Sequence, residues 1–142
     1  MLYIGIDTGR DTGFAVWDSS RSKFLQIETM RIHRVMETVL MWCDVCGKDN
    51  VNVVFEDARQ RKYLPQEKDM AEYRGKLMGA GSVKRDATVW QDFLSDKGVA
   101  FEMVAPRKGL TKWSAEAFQS VTGWKGQTNE HNRDAALLVF GR

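Results

Sequence analysis

Leu2-Tyr3-Ile4-Gly5-Ile6-Asp7-Thr8-Gly9 opens the chain as an apolar run that ends on an aspartate and a glycine turn. The uncharged run before the acid reads as a buried strand. Val51-Asn52-Val53-Val54-Phe55-Glu56-Asp57 repeats the pattern and also ends on acids. Continuous apolar strands of this kind belong in the middle of a sheet covered on both faces. The stretch Asn129-Glu130-His131-Asn132-Arg133-Asp134-Ala135-Ala136-Leu137-Leu138 places an acid early in an apolar helix.

Working outward from these three, Thr8 to Gly13 reads as a turn and Phe14 to Trp17 as a returning strand. Asp18 to Ser22 is a second turn, and Lys23 to Thr29 alternates as a third strand. From Arg31 to Cys46 the period becomes helical, with Ile32, Val35, Met36, Val39, Leu40, Cys43 and Cys46 on one face and Gly47 as the cap. Residues 58–68 are the least core-like part of the chain. A helix of small residues runs from Met70 through Gly79-Ala80-Gly81 and resumes from Ser82 to Leu94. Val99 to Val104 forms a fifth strand, and residues 105–111 a loop. Ser114 caps a short helix ending at Val121, and Asn129 caps a last one ending at Phe140.

The reading is therefore α/β, with three antiparallel strands followed by two parallel ones in a mixed five-stranded sheet flanked by helices. Its order, βββαβαβαα, is that of the ribonuclease H-like fold. A chain of 142 residues is expected to form one domain, 1–142, with a core that needs no metal or disulfide staple. No apolar run approaches the ~20 residues of a membrane helix. The N-terminus has no basic region or cleavage site, so an intracellular, soluble protein is expected.

Cys43 and Cys46 form a C-x-x-C at the end of a helix. Redox pairs sit at helix starts, where the dipole lowers the thiol pKa, and a closed zinc site needs four ligands. Both thiols continue the apolar stripe, so packing is expected of them. The net charge of +2 predicts no nucleic-acid partner by itself. Residues 1–57 hold six Lys and Arg against nine Asp and Glu, however, and residues 58–142 hold fifteen against ten. An acidic half joined to a basic half suits a metal-dependent nuclease.

Hydrolysis of a phosphodiester needs an activated water and neutralised charge on the leaving oxygen, which two divalent ions ~3.5–4 Å apart supply. Magnesium takes oxygen ligands and keeps several waters, so a few carboxylates suffice. Asp7 and Glu56 stand at the ends of two buried strands that would be neighbours, and Asp134 stands near the start of the last helix. Gly5 and Gly9 leave space for a phosphate or metal to approach the backbone. His131, three residues before Asp134, shares its helix face and suits a metal ligand or a proton-transfer group.

Gly5-Ile6-Asp7-Thr8-Gly9, Thr12-Gly13-Phe14-Ala15-Val16, Val54-Phe55-Glu56 and His131-Asn132-Arg133-Asp134-Ala135-Ala136 together resemble the RuvC-type Holliday junction resolvases, most closely their shorter, phage-type members. The resemblance spans nearly the whole chain. It implies a homodimer that nicks four-way DNA junctions, with two Mg²⁺ or Mn²⁺ ions held by Asp7, Glu56, His131 and Asp134. His131 replaces the Asp commoner at its position. The resemblance also implies a dimer interface along the helix after Glu56, where Met70, Leu77, Met78 and Gly79-Ala80-Gly81 permit close approach. It further implies a cytoplasmic location, in the bacterial host if the gene is phage-borne.

Arg59, Arg61, Lys62 and Tyr63 follow the second acidic strand and suit phosphate contact, with Tyr63 able to stack on an unpaired base. Arg107, Lys108 and Lys112 form a second basic cluster, and the resemblance gives Lys108 or Lys112 to the scissile phosphate. Trp113 and Trp124 are expected to pack. Branched DNA, whether junction, fork, flap or bubble, is the expected partner, and no membrane is. The competing readings are cleavage of RNA in hybrids, which favours a monomer reading 2′-hydroxyls, and a catalytically silent junction binder. A sugar-kinase-like ATP-binding fragment would need a second phosphate loop, for which the chain has no room.

Overall fold

The computed structural model describes residues 1–60, 70–106 and 112–142. Five strands form one sheet: β1 (Leu2–Asp7), β2 (Asp11–Asp18), β3 (Lys23–Arg31), β4 (Val51–Glu56) and β5 (Ala100–Val104). Their order is β3-β2-β1-β4-β5. The first three strands pair antiparallel, and β4 and β5 join parallel to β1. The mixed sheet expected from the hydrophobic pattern is the one observed.

Four helices cover it: α1 (Ile32–Cys46), α2 (Met70–Lys97), α3 (Ala115–Thr122) and α4 (Glu130–Val139). Alternation along the central strands sends Ile4, Ile6, Val53 and Phe55 to one face. There they meet Val35, Val39 and Cys43 of α1, and Ala87, Trp90 and Leu94 of α2. The opposite face presents Ala15, Trp17 and Val54 to Phe118 of α3 and to Ala135, Ala136 and Val139 of α4. Because both faces are covered, β1 and β4 are apolar almost throughout.

Helix α4 lies unusually close to the sheet. A β-carbon on Gly5 would stand 2.0 Å from the Ala135 carbonyl oxygen, and one on Gly13 would stand 2.0 Å from that of His131. The space over Gly5 is therefore filled by α4 rather than left for a phosphate or metal. Two glycines, one on β1 and one on β2, let the helix backbone rest on the strands. At its N-terminus, Asn129 accepts from the Asn132 N–H at 3.0 Å, and Asn132 accepts from the Asn129 N–H at 2.9 Å. This reciprocal cap satisfies two backbone donors and fixes where the helix starts.

Several boundaries differ from the pattern-based reading, among them the start of β2 and the course of α2. Strand β2 begins at Asp11, because Asp11, Thr12 and Gly13 pair with Arg31, Met30 and Thr29. The Thr12 hydroxyl donates to the Gly9 carbonyl at 2.6 Å, which shortens the turn between β1 and β2. Helix α2 runs through Gly79 and Gly81 without a break. A glycine costs a helix ~1 kcal/mol against alanine, which weakens but does not interrupt a helix anchored at its far end. That anchor is Ala87, Trp90 and Leu94.

Cys43 is buried, Cys46 is partly buried, and both are free thiols. Trp113 and Trp124 pack against the second core cluster, the latter edge-on to Phe24. No helix among the described residues is long and apolar enough to cross a membrane.

Candidate active site

Strands β1 and β4 are parallel neighbours in the register Ile6 to Phe55. The next residue on each is an acid, so Asp7 and Glu56 come side by side at the carboxyl edge of the sheet. Pleat alternation puts both on the face that carries α4, together with Gly5 and Val54. Because α4 rests on Gly5 and Gly13, its first turns lie over this edge. His131 Nδ1 stands 3.1 Å from Asp7 Oδ2. Asp134, one turn further along, is near enough to act electrostatically on Asp7. The sheet thus brings together acids that are 49 and 127 positions apart in the chain, counted from Asp7.

The charges here are incompletely balanced. Burial is the first cause that pushes the Asp7 carboxyl above its ordinary value of 3.8. The His131 hydrogen bond opposes the rise, Asp134 reinforces it, and the His131 and Lys112 charges oppose it. Its side chain is 27% exposed, against 55% for His131 and 38% for Asp134. The acid is thus partly withdrawn from water, while the imidazole and the second carboxylate stand more open to it. Lys112 pairs with Glu130 and stands 4.0 Å from Asp134. Glu130 was not among the residues that sequence pattern singled out. Its signal was the four-residue spacing to Asp134, which puts both acids on one helix face.

Among the described residues, no three His, Cys, Asp or Glu side chains stand as an assembled metal cage. The donors that do converge are still of the right kind for a hard divalent cation: carboxylate oxygens and one imidazole. The fit rests on Asp7, whose carboxyl is pushed up by burial and by Asp134. A cation placed beside it would offset both causes. Asp7, Glu56, Asp134 and His131 are the residues that could hold it.

Arg59 lies elsewhere. Its guanidinium turns away from the acids toward Asp57, Thr88 and Gln91. Arg61, Lys62, Tyr63, Arg107 and Lys108 lie outside the described residues.

No protein-family model and no curated protein sequence matches the chain.

Proposed function

We propose that this chain is a structure-selective DNA endonuclease that cleaves Holliday junctions and other branched DNA, with a ribonuclease H-like fold of the RuvC type. The observation that carries the reading is Asp7 held against His131 and within electrostatic reach of Asp134, one strand over from the β4 end that bears Glu56, at the carboxyl edge of two central parallel strands. Acids placed where two strand ends and a helix start meet contribute nothing to a core. They suit the binding of divalent cations beside a phosphate.

In this reading Asp7, Glu56 and Asp134 hold Mg²⁺ or Mn²⁺, two ions per site. Such ions supply charge neutralisation and a nucleophile at neutral pH. The chain's own groups do the rest. His131, held against Asp7 with most of its ring open to solvent, moves a proton at the site. Lys112, poised between Glu130 and Asp134, meets the scissile phosphate as a point charge. Arg107 and Lys108 precede it in the chain, and Arg61, Lys62 and Tyr63 follow Glu56; in this reading they add basic and aromatic contacts to the DNA.

The reading also takes a homodimer, since paired nicks in a two-fold junction need two sites related by an axis. Helix α2 supports it. Thr88 is held at the end of β4 through Arg59. The eighteen residues N-terminal to it extend about 27 Å at 1.5 Å per residue. Along that length Met70, Leu77, Met78 and Val83 are exposed. A β-carbon on Gly75, Gly79 or Gly81 would meet nothing beyond the helix itself among the described residues.

The test is incubation with Mg²⁺ and labelled four-way junction, flap, linear duplex and RNA–DNA hybrid. Paired nicks in the junction, abolished in Asp7→Asn while junction binding survives, are the expected result. Cleavage of the hybrid alone, or full activity of Asp7→Asn, would overturn the reading.

A further inference from the structure

One residue past Glu56 the chain changes character. Asp57 is an acid in the interior, its side chain 7% exposed, and Arg59 closes over it at 34%. The pair is bidentate: Arg59 Nε donates to Asp57 Oδ1 at 2.7 Å, and an outer guanidinium nitrogen donates to Oδ2 at 3.1 Å. The Arg59 backbone N–H donates to the same Oδ1 at 3.0 Å, and that of Gln60 to the Asp57 carbonyl at 3.0 Å. A short 3-10 turn, Ala58–Gln60, is thereby wound around the Asp57 side chain.

The same guanidinium reaches α2, donating to Gln91 Oε1 at 2.7 Å and to Thr88 Oγ1 at 3.3 Å. On the other side the Asp57 N–H donates to the Val104 carbonyl at 2.8 Å, carrying the β4–β5 ladder one bond past its last residue. Two residues therefore tie together the ends of β4 and β5 and the C-terminal third of α2. Glu56 is the last residue of β4, and strand ends fray unless something holds the chain beyond them.

We propose that Asp57 and Arg59 are positioning residues for Glu56, a clamp that fixes the backbone from which its carboxylate is presented. The proposal rests on the nuclease reading for the importance of Glu56, but not for the clamp itself. It gives Arg59 a different task from phosphate contact, because its donors are spent inward. Bidentate arginine–carboxylate pairs are the side-chain contacts best able to fix direction as well as distance. A displacement of ~1 Å in a positioned group can cost ~10²-fold in rate.

Hydrogen exchange and kinetics on the full chain test this. In Arg59→Ala the Asp57 amide should exchange at least tenfold faster, and the Glu56 resonances should move. Arg59→Lys, which keeps the charge but not the fork, should fall between it and wild type. On junction DNA with Mg²⁺, Arg59→Ala should lose about tenfold or more in kcat with KM unchanged. Its log K against log salt slope should match wild type. The neutral pair Asp57→Asn with Arg59→Gln can keep one amide-to-carbonyl hydrogen bond in place of the Nε–Oδ1 contact without burying an unpaired charge, which guards against simple unfolding. It should recover part of the amide protection and part of kcat.

A weaker affinity with the slope reduced by about one, and normal kcat, would make Arg59 a phosphate contact and overturn the clamp. So would an unchanged Asp57 amide in Arg59→Ala. If wild type cleaves none of the DNA substrates, the nuclease reading fails. The exchange and resonance data on Glu56 then decide the clamp alone.

Discussion

Two carboxylates at the same edge of the sheet have opposite fates. Asp57 is deeply buried, yet its carboxyl lies below the usual range, because the Arg59 hydrogen bonds, above all, outweigh the burial that opposes them. Asp7 is less enclosed, yet its carboxyl lies above that range, because burial and Asp134 outweigh what His131 returns. Asp57 has a full complement of donors, as the interior of a stable protein requires. Asp7 keeps a charge that the fold does not settle. Electrostatic debts of this kind gather where a protein binds or reacts, so the difference separates structural acids from candidate working ones.

The largest expected effect removes the site while sparing the clamp. Gly13→Ala puts a β-carbon into the His131 carbonyl, and Gly5→Ala into that of Ala135. Overpacking against backbone cannot be relieved by a rotamer change. Each substitution should cost about 3 kcal/mol in urea melts. Lifting α4 should also abolish the contact between His131 and Asp7, seen as a loss of coupling in their resonances, with the Asp57 amide still protected. A cost below about 1 kcal/mol would show that α4 is not seated on these glycines.

Next is His131. If it moves a proton at the site, His131→Ala should slow junction cleavage roughly 10²-fold. His131→Asp should preserve cleavage, since it restores a carboxylate at a position facing Asp7. A wild-type rate in His131→Ala would leave the imidazole as no more than a counter-charge.

The clamp should answer differently. Arg59→Ala leaves Asp57 buried without its partner and should cost about 2 kcal/mol, discounted for the part-exposed guanidinium. The pH dependence follows from the sign of the shift. A carboxyl held below its unfolded value of 3.8 stabilises the fold above that value. The stabilisation is lost as pH falls through its native value. Wild type should therefore lose stability below about pH 4 more steeply than Arg59→Ala. Parallel acid limbs in the two proteins would mean that the pair contributes no net linkage.

Much of this frame was legible in the amino-acid order. Leu2 to Ile6 and Val51 to Phe55 are nearly continuous apolar runs, which places β1 and β4 at the centre and their acids at one edge. Asn129 announced the start of α4. What stayed hidden depends on contacts between distant residues. Gly5 reads the same in sequence whether a ligand or a helix lies over it, and only the seating of Ala135 decides. Arg59 looks like part of a basic run until Thr88 and Gln91, some thirty residues later, are brought to it by α2. The partner of Glu130 is visible only in the fold, which sets Lys112 beside it.

The smallest expected effect separates the two acids most directly, because it has opposite signs. For an acid whose native pKa lies above its unfolded value, the folded state binds the proton more tightly. Stability then falls as pH rises from 3.8 through the native value, and at neutral pH the whole cost is present. Asp7→Asn removes that cost and can keep a hydrogen bond to His131. It should raise stability by about 1 kcal/mol at pH 7 without added metal, the usual gain from relieving a functional site. For a chain of this length that is roughly 2–4 °C in Tm. Asp57→Asn should lower it, because Arg59 loses its charged partner. Adding Mn²⁺ should then raise the Tm of wild type but not of Asp7→Asn, since a ligand stabilises only the state that binds it. A lower Tm for Asp7→Asn in the absence of metal would mean that Asp7, like Asp57, is a structural acid, and the contrast between them would collapse.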